Sequence, residues 1–289
     1  MKEMTFNIQT TLKRSHGLVF FVRALRNTPA YLRGIMSEIE REAELEKLIT
    51  KRNDLIADYT RTEPVKKLHI GAGSNRLEGW LNTDLIPETP DILYLDATVK
   101  LPFVDSTFQY VYSEHMIEHV PYKGALTVIR EAYRILQPGG KIRVSTPDTV
   151  KIVSLLSLQK SAGDRKYIAW SAGELIGLYY KEKSRLQERR PEWDIDLEHI
   201  KKFYPDIEVD PAPFVVNILF RGFGHQFLHT EQTIRALVED AGFIDVVRYT
   251  PGVSDDDQLR GLESHGLVIG EDMNSYESMV FEATKIEVL

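Results

Sequence analysis

The feature that most constrains the fold is a series of short apolar runs that alternate with helix-like segments after Pro64. The candidate strands of this series are 67–70, 80–83, 92–95, 108–112 and 141–145. A helix-like pattern over about 123–136 precedes the last strand, and Gln137-Pro138-Gly139-Gly140 ends it, because proline cannot continue a helix and glycine accepts a left-handed turn. Strands that alternate with helices predict an α/β fold, with a doubly wound and mostly parallel sheet.

The alternation breaks between about 151 and 228, where the chain is rich in aromatic and charged residues and shows no clear series of strands. We interpret this region as an inserted helical cap. The alternation resumes with a helix that starts at Thr230-Glu231 and runs to Ala241, followed by strands over 243–249 and 278–284. We therefore expect the main domain to cover 63–289 and the cap to interrupt it.

Residues 1–62 differ from the main domain, and we predict that they form an N-terminal helical appendage. Apolar residues fall near helical spacing over about 31–59. Residues 1–37 carry six Lys or Arg residues and a single acidic residue, Glu3. The basic, apolar stretch 12–25 could make a weak contact with a membrane surface or a protein, but helices that pack on their own domain have the same pattern, and we favour that interpretation.

Composition excludes several classes of function. The chain has 289 residues and a net charge of −7, so we expect no nucleic-acid partner, which normally requires a basic surface. The absence of cysteine excludes disulfides, thiolate metal sites and a cysteine nucleophile. The longest apolar run, Leu18 to Val22, is far below the roughly 20 residues that span a bilayer, and no cleavable signal pattern opens the chain. We therefore expect a cytoplasmic protein.

A glycine pair, Gly71-Ala72-Gly73, directly follows the first candidate strand. Glycines let the backbone turn sharply there and bring amide groups close to a ligand. The third glycine of a dinucleotide fingerprint is missing, with Asn75 near its place, and no Gly-Lys-Ser/Thr follows, so a P-loop is excluded. Asp84 ends the next strand eleven residues after Gly73, against roughly 20 in a nicotinamide-binding unit. The helix between these two strands must therefore be very short.

Polar residues follow successive strands of the predicted sheet. Asp84 would accept hydrogen bonds from ribose hydroxyls, and Asp96-Ala97 could hold an adenine amino group against an apolar wall. Ser113-Glu114-His115 follow the fourth strand. A carboxylate at the end of a strand also caps turns and helices, so each acid alone fits a structural role equally well. Their order along the strand ends, where open parallel sheets bind ligands, favours a binding site.

Four stretches of this chain resemble the class I S-adenosylmethionine-dependent methyltransferases, in particular the branch of the type 11 methyltransferase domain. They are LHIGAGSNRLEGWLNTDL (68–85), LDATVKLPFVDSTFQYVYSEHMIEHV (95–120), REAYRILQPGGKIRVSTPD (130–148) and GHQFLHTEQTIRALVEDAGF (224–243). The resemblance covers the chain from about Lys66 onward. It implies a Rossmann-like methyltransferase fold with an antiparallel last strand, and S-adenosylmethionine as cofactor.

Carried over by position, the resemblance also implies which residues bind the cofactor. The glycine loop would approach the methionine part, Asp84 and Leu85 the ribose, Asp96 and Ala97 the adenine, and the residues after the fourth strand the methionine again. The residues so assigned are Gly71, Ala72, Gly73, Asp84, Leu85, Asp96, Ala97, Ser113, Glu114 and His119. This chain departs from the family pattern at His69, where an acidic residue is usual, and at Asn75, where a small residue is usual.

Methyl transfer from a sulfonium requires chiefly that the acceptor be lined up behind the methyl group. An alcohol acceptor must also lose its proton, for which a His or a carboxylate serves as base. The candidates are His115, His225 and His229. His225 is our first choice because two glycines, Gly222 and Gly224, closely precede it and let the backbone come close to a ligand. The alternative is that His225 and His229 form hydrogen bonds within the cap.

One competing motif is His115-Met116-Ile117-Glu118-His119, which spells the inverted zinc-protease signature H-x-x-E-H. That signature needs two histidines on one helical face and a third protein ligand. Because Pro121 follows two residues later, only a short turn of helix fits. We therefore expect no metal site, and we keep a His/Glu zinc hydrolase only as a less favoured alternative that metal analysis of the purified protein would test.

The leading hypothesis is an S-adenosylmethionine-dependent methyltransferase that methylates an oxygen of a small-molecule, sugar or glycan-like acceptor by direct in-line transfer. The acceptor class rests on the aromatic residues of the cap, whose rings could stack on sugar faces, although such residues more often form a protein's own core. The alternatives are a catalytically inactive binding or scaffold protein with the same fold and, less favoured, an NAD-dependent oxidoreductase or a His/Glu zinc hydrolase.

Overall fold

A computed structural model of the chain describes residues 30–175 and 210–287. The chain divides into two units, Met1–Thr62 and Glu63–Leu289. The described part of the first unit is one helix, α1 (Ala30–Thr62), with exposed pairs such as Lys47–Glu44 at i,i+3 spacing. The basic stretch 12–25 lies outside the described residues, and the role of 1–62 as an appendage stays a prediction.

The second unit is built on one seven-stranded sheet with the order β3-β2-β1-β4-β5-β7-β6. Its strands are β1 (Lys67–Ile70), β2 (Leu81–Asp84), β3 (Leu93–Tyr94), β4 (Phe108–Glu114), β5 (Leu136–Pro147), β6 (Phe243–Tyr249) and β7 (Ser278–Lys285). The first five strands pair in parallel, and β7 runs antiparallel to both β5 and β6. The predicted α/β fold and its antiparallel last strand are confirmed.

The connection between β1 and β2 differs from the expectation of a very short helix, because residues 71–80 form turns with no helix. The side chain of Asn82 holds these turns in place. Its Oδ1 accepts from the amide of Leu77 at 2.9 Å, and its Nδ2 donates to the carbonyls of Leu77 and Trp80 at 2.9 and 3.0 Å. One buried amide side chain thus satisfies backbone groups that a helix would otherwise pair.

Helix α2 (Tyr122–Ile135) is amphipathic, and its buried side chains include Ala125, Val128, Ile129, Ala132 and Ile135. The next strand begins at once at Leu136, so the predicted start at 141 is wrong. The register against β4 shifts between Phe108 and Tyr110, which accommodates the extra residues as a bulge. At Gly140 a Cβ would lie 2.8 Å from the carbonyl oxygen of Gln137, so only glycine fits there.

The chain between β5 and β6 contains α3 (Thr149–Ser154), α4 (Ala162–Trp170), a π-helix (Ser171–Leu175), α5 (Ala212–Arg221) and α6 (Glu231–Asp240). Helices α3, α4 and α5 share an apolar core in which Tyr167 is fully buried. Residues 176–209 lie outside the described residues, and with them five aromatic residues of the predicted cap: Tyr179, Tyr180, Trp193, Phe203 and Tyr204. The assignment of a separate cap therefore stays a prediction.

Two short helices that the sequence analysis did not foresee, α7 (His265–Ile269) and α8 (Glu271–Glu277), precede β7. Below them Arg143 of β5 is fully buried and pairs with two carboxylates, Glu263 at 2.6 Å and Glu282 of β7. Because a buried guanidinium is costly unless it is paired, this network fixes the 250–264 segment on the sheet.

Among the described residues, no helix has the length and apolar character that a bilayer crossing requires.

Candidate active site

The candidate site lies at the carboxyl ends of β1, β2 and β4. Ile70 pairs with Thr83 on one side and with Ser113 on the other, so these three strands end at one level. The chain leaves β1 towards β2 and β3 and then crosses to β4 on the opposite side. This change of direction is the topological switch point at which open α/β sheets bind ligands.

The glycine loop opens this crevice. Gly71 and Gly73 have φ values of +73° and +52°, which favour glycine. The amides of Gly71 and Ala72 both donate to the carbonyl of Thr83 at 2.9 Å. A Cβ on Gly71 would lie 2.4 Å from Cγ of Met116, whereas a Cβ on Gly73 would meet no atom within 4 Å. Gly71 is therefore required for packing, and Gly73 faces open space that a ligand can approach.

Asp84 lies next to this loop at the end of β2. Its Oδ2 accepts from the amide of Gly73 and its Oδ1 from the amide of Ile86, both at 2.8 Å. Each oxygen keeps a second lone pair, so the carboxylate is oriented by the backbone and can still accept a hydrogen bond from a ligand. Leu85, beside it, is 56% exposed.

Asp96 and Ala97 follow β3. Oδ1 of Asp96 accepts from the amide of Thr98 at 2.9 Å and from its hydroxyl at 2.6 Å. Asp96 therefore fulfils the turn-capping role that we considered as the alternative. Ala97 is buried and offers an apolar surface at the same place.

Ser113 and Glu114 end β4 and differ in how they are satisfied. Both oxygens of Glu114 accept from the amide of Ser264 at 3.0 Å, and Oε1 also accepts from the amide of His265 at 2.9 Å. Glu114 thus holds the start of α7. The hydroxyl of Ser113 is buried and has no hydrogen-bond partner among the described residues. A buried polar atom without a partner is costly and fits a polar ligand at this edge of the sheet.

The structure describes the surroundings of the two residues, His69 and Asn75, at which this chain departs from the family pattern. His69 is 1% exposed and its Nδ1 lies 3.2 Å from Oδ1 of Asn82. Burial lowers the pKa of His69 to about 4, so its imidazole is neutral and does not replace a carboxylate. In the glycine loop, Nδ2 of Asn75 is buried without a hydrogen-bond partner among the described residues. At sequence level Asn75 is only a departure from the family pattern. Its side-chain amide, which has no acceptor among the described residues, makes it a candidate site residue.

His115 of the H-x-x-E-H motif lies in a buried network. Its Nε2 is 2.9 Å from Oγ of Ser278, which itself donates to Oδ1 of Asn274, and its Nδ1 is 3.3 Å from Oε1 of Glu118. Burial lowers the pKa of His115, but Glu118 and two further carboxylates outweigh this and raise it. The raised pKa favours the protonated imidazole, so His115 is a weaker candidate for the base than His225.

His119 does not share a site with His115. The ring of His115 stacks on His265 with centroids 4.0 Å apart, whereas the ring of His119 contacts His225 at 4.9 Å. The geometry of the inverted zinc signature is therefore not formed. Instead the described residues contain two other groups of three residues, and within each group the potential ligand atoms lie within 4.8 Å of one another. One group is His115, His265 and Glu277, and the other is Glu118, His119 and His225.

His225 reaches this place although it is more than 100 residues away from the motif. The amides of Gln226 and Phe227 donate to the carbonyl of Glu118 at 2.8 and 3.1 Å, and Nε2 of Gln226 donates to the carbonyl of His119 at 2.7 Å. Nδ1 of His225 contacts the carbonyl of Leu219. Because a carbonyl accepts, Nδ1 carries the hydrogen and Nε2 has the free lone pair.

His229 lies elsewhere in the fold. Its side chain is fully buried, and burial lowers the pKa to about 4. Its Nδ1 is 3.3 Å from Oγ1 of Thr233, and its carbonyl accepts from the amide of Thr149 at 3.1 Å. Thr233 lies outside the predicted cap, so of the two histidines it is His225, through Leu219, that forms the hydrogen bond within the cap that we considered as the alternative. Nε2 of His229 is buried and has no hydrogen-bond partner among the described residues, whereas His225 is only partly buried, so His225 stays our first choice.

Comparison with known proteins bears on the same part of the chain. Residues 68–144 match the family described as "Methyltransferase domain", so the predicted resemblance to the methyltransferases is confirmed over this part of the chain. The demethylmenaquinone methyltransferases of Anoxybacillus flavithermus (strain DSM 21510 / WK1) and Geobacillus sp. (strain WCH70) are 26% and 30% identical over 131 residues. The match includes 44% and 43% of this chain, and the chain spans about half, 53%, of the length of each relative.

Solved structures of similar fold include an S-adenosylmethionine-dependent methyltransferase from Mesorhizobium loti. It is 16% identical, with a TM-score of 0.39, and the alignment covers 76% of this chain and 90% of that one. A second is a phosphoethanolamine N-methyltransferase from Haemonchus contortus, 14% identical with a TM-score of 0.36, covering 81% of this chain and 53% of that one.

Proposed function

Because residues 68–144 form a methyltransferase domain, we propose that the chain transfers the methyl group of S-adenosylmethionine to a hydroxyl oxygen of a small-molecule or glycan-like acceptor. The observation that carries the proposal is the switch-point crevice. It combines an open glycine at position 73, an oriented carboxylate at Asp84 and two buried polar groups, on Ser113 and Asn75, that have no hydrogen-bond partner within 30–175 and 210–287.

These residues fit the cofactor in the following way. Asp84 accepts hydrogen bonds from the ribose hydroxyls, and Ala97 packs against the adenine with Asp96 beside it. The hydroxyl of Ser113 and the amide of Asn75 bind polar groups of the methionine part. When bound, the cofactor supplies a methyl group that its sulfonium has already activated.

The acceptor side is formed by the segment that returns from α5. Nε2 of His225 is the free nitrogen there, and we assign it to the activation of the acceptor hydroxyl. Glu118 is fully buried and ionised, since His115 and its neighbours lower its pKa to about 2 even though burial raises it. Its carbonyl anchors the His225 segment, so Glu118 positions that segment beside the crevice.

The acceptor class rests on composition. The net charge of −7 disfavours polyanionic acceptors such as nucleic acids. Tyr167 stacks on Tyr276 within the protein's own core, with centroids 4.7 Å apart, so it does not present a free ring face. Trp170 and Phe214 of the predicted cap are only partly buried, so aromatic stacking on an acceptor depends on these two residues and on the aromatic residues between 176 and 209.

One observation favours a second candidate, a binding or scaffold protein of the same fold. His69 is neutral where the family has an acid, and Glu114 is fully engaged with α7. The missing acid at position 69 and the engaged carboxylate of Glu114 leave fewer carboxylate oxygens to accept from the ammonium group of the methionine. A scaffold protein would have lost affinity for the cofactor for this reason.

Thermal unfolding with S-adenosylmethionine, S-adenosylhomocysteine and NAD separates the candidates. A ligand that binds only the folded protein at 100 times its Kd raises the free energy of unfolding by about 2.7 kcal/mol. We expect a shift with both adenosyl ligands and none with NAD. Asp84→Asn should reduce the shift, whereas Asp257→Asn, an exposed carboxylate paired with Arg260, should retain it.

No shift with either adenosyl ligand would support the scaffold protein, and a shift with NAD alone would support an oxidoreductase. Methyl transfer to a panel of hydroxylated small molecules then tests the reaction itself. We expect His225→Ala to lower turnover by about 10²-fold or more. Unchanged turnover in this variant would refute the role of His225.

A further inference from the structure

We propose that Glu118, His119 and His225 bind a divalent transition-metal ion, with Zn²⁺ as the ion that their chemistry fits best. One ligand atom from each residue lies within 4.8 Å of the other two. This group is different from the H-x-x-E-H signature, because it excludes His115 and includes a histidine from the distant return segment. Metal binding is independent of the function proposed above, whereas the catalytic role of the ion rests on that function.

The donor set suits such an ion. Two imidazole nitrogens and one carboxylate oxygen form the protein part of many catalytic zinc sites and of two-histidine, one-carboxylate sites. Zinc–ligand distances are about 2.0–2.2 Å, so the three atoms must move closer together than 4.8 Å. Small rotations of the two imidazoles, neither of which is fully buried, bring them closer.

The tautomer of His225 is already the one that metal binding requires. A metal-binding histidine usually donates its second ring N–H to a carbonyl or carboxylate, which orients the ring. The carbonyl of Leu219 accepts from Nδ1 of His225 in this way and leaves Nε2 for the ion. Glu118 is oriented similarly, because Oγ1 of Thr146 donates to its Oε2 at 3.0 Å and His115 contacts its Oε1.

The backbone also keeps the three residues together without an ion. Glu118 and His119 are adjacent in a 3-10 turn, Ile117–His119, and their carbonyls accept from the amides and side chain of the segment after His225. Gly224, with a φ of +78°, lets that segment pass close to the turn. A Cβ there would lie 3.5 Å from Nδ1 of His119. The site is thus largely formed before binding.

The second group, His115 with His265 and Glu277, fits an ion less well. Both nitrogens of His115 face protein partners, Ser278 and Glu118. The oxygens of Glu277 contact Nε2 of His265 at 3.1 Å and the hydroxyl of Tyr167. An ion would have to replace these interactions, whereas at His225 it would use a nitrogen that is free.

An ion held by three protein atoms keeps at least one position open for another ligand. An acceptor hydroxyl bound there would lose its proton to water at a lower pH than the free alcohol. Its oxygen would then form the O–CH3 bond while the S–CH3 bond of the cofactor breaks and S-adenosylhomocysteine leaves. His225 then activates the acceptor as a metal ligand. This defines the acceptor as a molecule whose hydroxyl can reach a metal ion.

The test is titration of the full chain, stripped with a chelator, with Zn²⁺ and with Co²⁺, followed by calorimetry and by the visible absorption of Co²⁺. We expect one equivalent to bind. The variants His225→Ala and His119→Ala should each weaken metal binding by at least about 10–100-fold, which is the loss that follows when only a hydrogen-bond partner of a metal ligand is removed. His265→Ala is the matched control, because it removes a histidine of the second group, and it should retain the ion.

Far-UV circular dichroism and denaturation confirm that each variant is folded. Absence of binding by the wild-type chain would overturn the proposal without reference to any variant. Binding that survives both His225→Ala and His119→Ala, or that is lost only in His265→Ala, would also overturn it. The thermal shift with S-adenosylhomocysteine is measured on the metal-free chain, so a failed metal site and a failed cofactor site give separate results.

Discussion

The buried imidazole of His69 should make the stability of this protein depend on pH. Its side chain is 1% exposed, and burial lowers its pKa from 6.5 to about 4. In the unfolded chain the pKa returns to about 6.5. Below that pH the unfolded chain binds a proton that the folded chain does not, so the free energy of unfolding falls as the pH falls from 6.5 towards 4.

The size of the effect follows from the two pKa values. The gap between about 4 and 6.5 corresponds to about 3 kcal/mol, which is fully present above pH 6.5 and fully lost below pH 4. Between pH 7 and pH 5 the loss from this single residue is about 2 kcal/mol. That is a large fraction of the stability of a typical domain.

Urea denaturation of the wild type and of His69→Gln at pH 7, 6 and 5 measures this contribution. Glutamine can still form a hydrogen bond with Asn82 but does not titrate. Other buried histidines, such as His229, titrate in both proteins and cancel in the comparison. We expect the free energy of unfolding of the variant to fall by about 2 kcal/mol less than that of the wild type between pH 7 and pH 5. Parallel pH dependences would refute the assignment of His69 as a buried neutral group.

Three further predictions concern packing and buried charge. Gly71→Ala should destabilise the protein by about 1–3 kcal/mol in denaturant unfolding, and adding Met116→Ala should restore the steric part; no restoration would contradict the close contact. Arg143→Met should cost about 3–5 kcal/mol, since it leaves buried carboxylates such as Glu263 without a cation; a thermal-unfolding loss below about 1 kcal/mol would contradict that network. Glu114→Gln should accelerate hydrogen exchange of the amides at 264–265 by about tenfold or more, because it replaces a charged acceptor by a neutral one and so weakens their hydrogen bonds; unchanged exchange would show that Glu114 does not hold this segment.

The sequence predicts most of the sheet because its strands are short apolar runs with clear ends. Strands β1, β2 and β4 were each located to within about two residues, since the glycine loop, Asp84 and Glu114 mark their carboxyl ends. The start of β5 was misplaced because Gln137-Pro138-Gly139-Gly140 predicts a turn, and only pairing with β4 keeps this segment in the sheet as a bulge. Local signals cannot reveal such a long-range constraint.

The candidate site was predictable only in part. The positions of Gly73, Asp84 and Ser113 follow from parallel topology, because strand ends that share one edge must lie together. The grouping of His225 with Glu118 and His119 depends on backbone hydrogen bonds between distant segments, and no spacing in the sequence encodes them. The capping role of Glu114 depends likewise on the 264–265 segment, which carries no motif.

The hydrogen bonds from Thr149 to the carbonyl of His229 bring the two ends of the region between them together, with the amide at 3.1 Å and the hydroxyl at 2.6 Å. A segment whose ends are already joined can change in length at small entropic cost to the rest of the chain. The sheet and its glycine loop therefore do not depend on how long that segment is. On the function proposed above, we expect recombination that exchanged 150–228 between related chains to change the acceptor preference and the residues that bond to Glu118, while leaving nucleoside recognition intact.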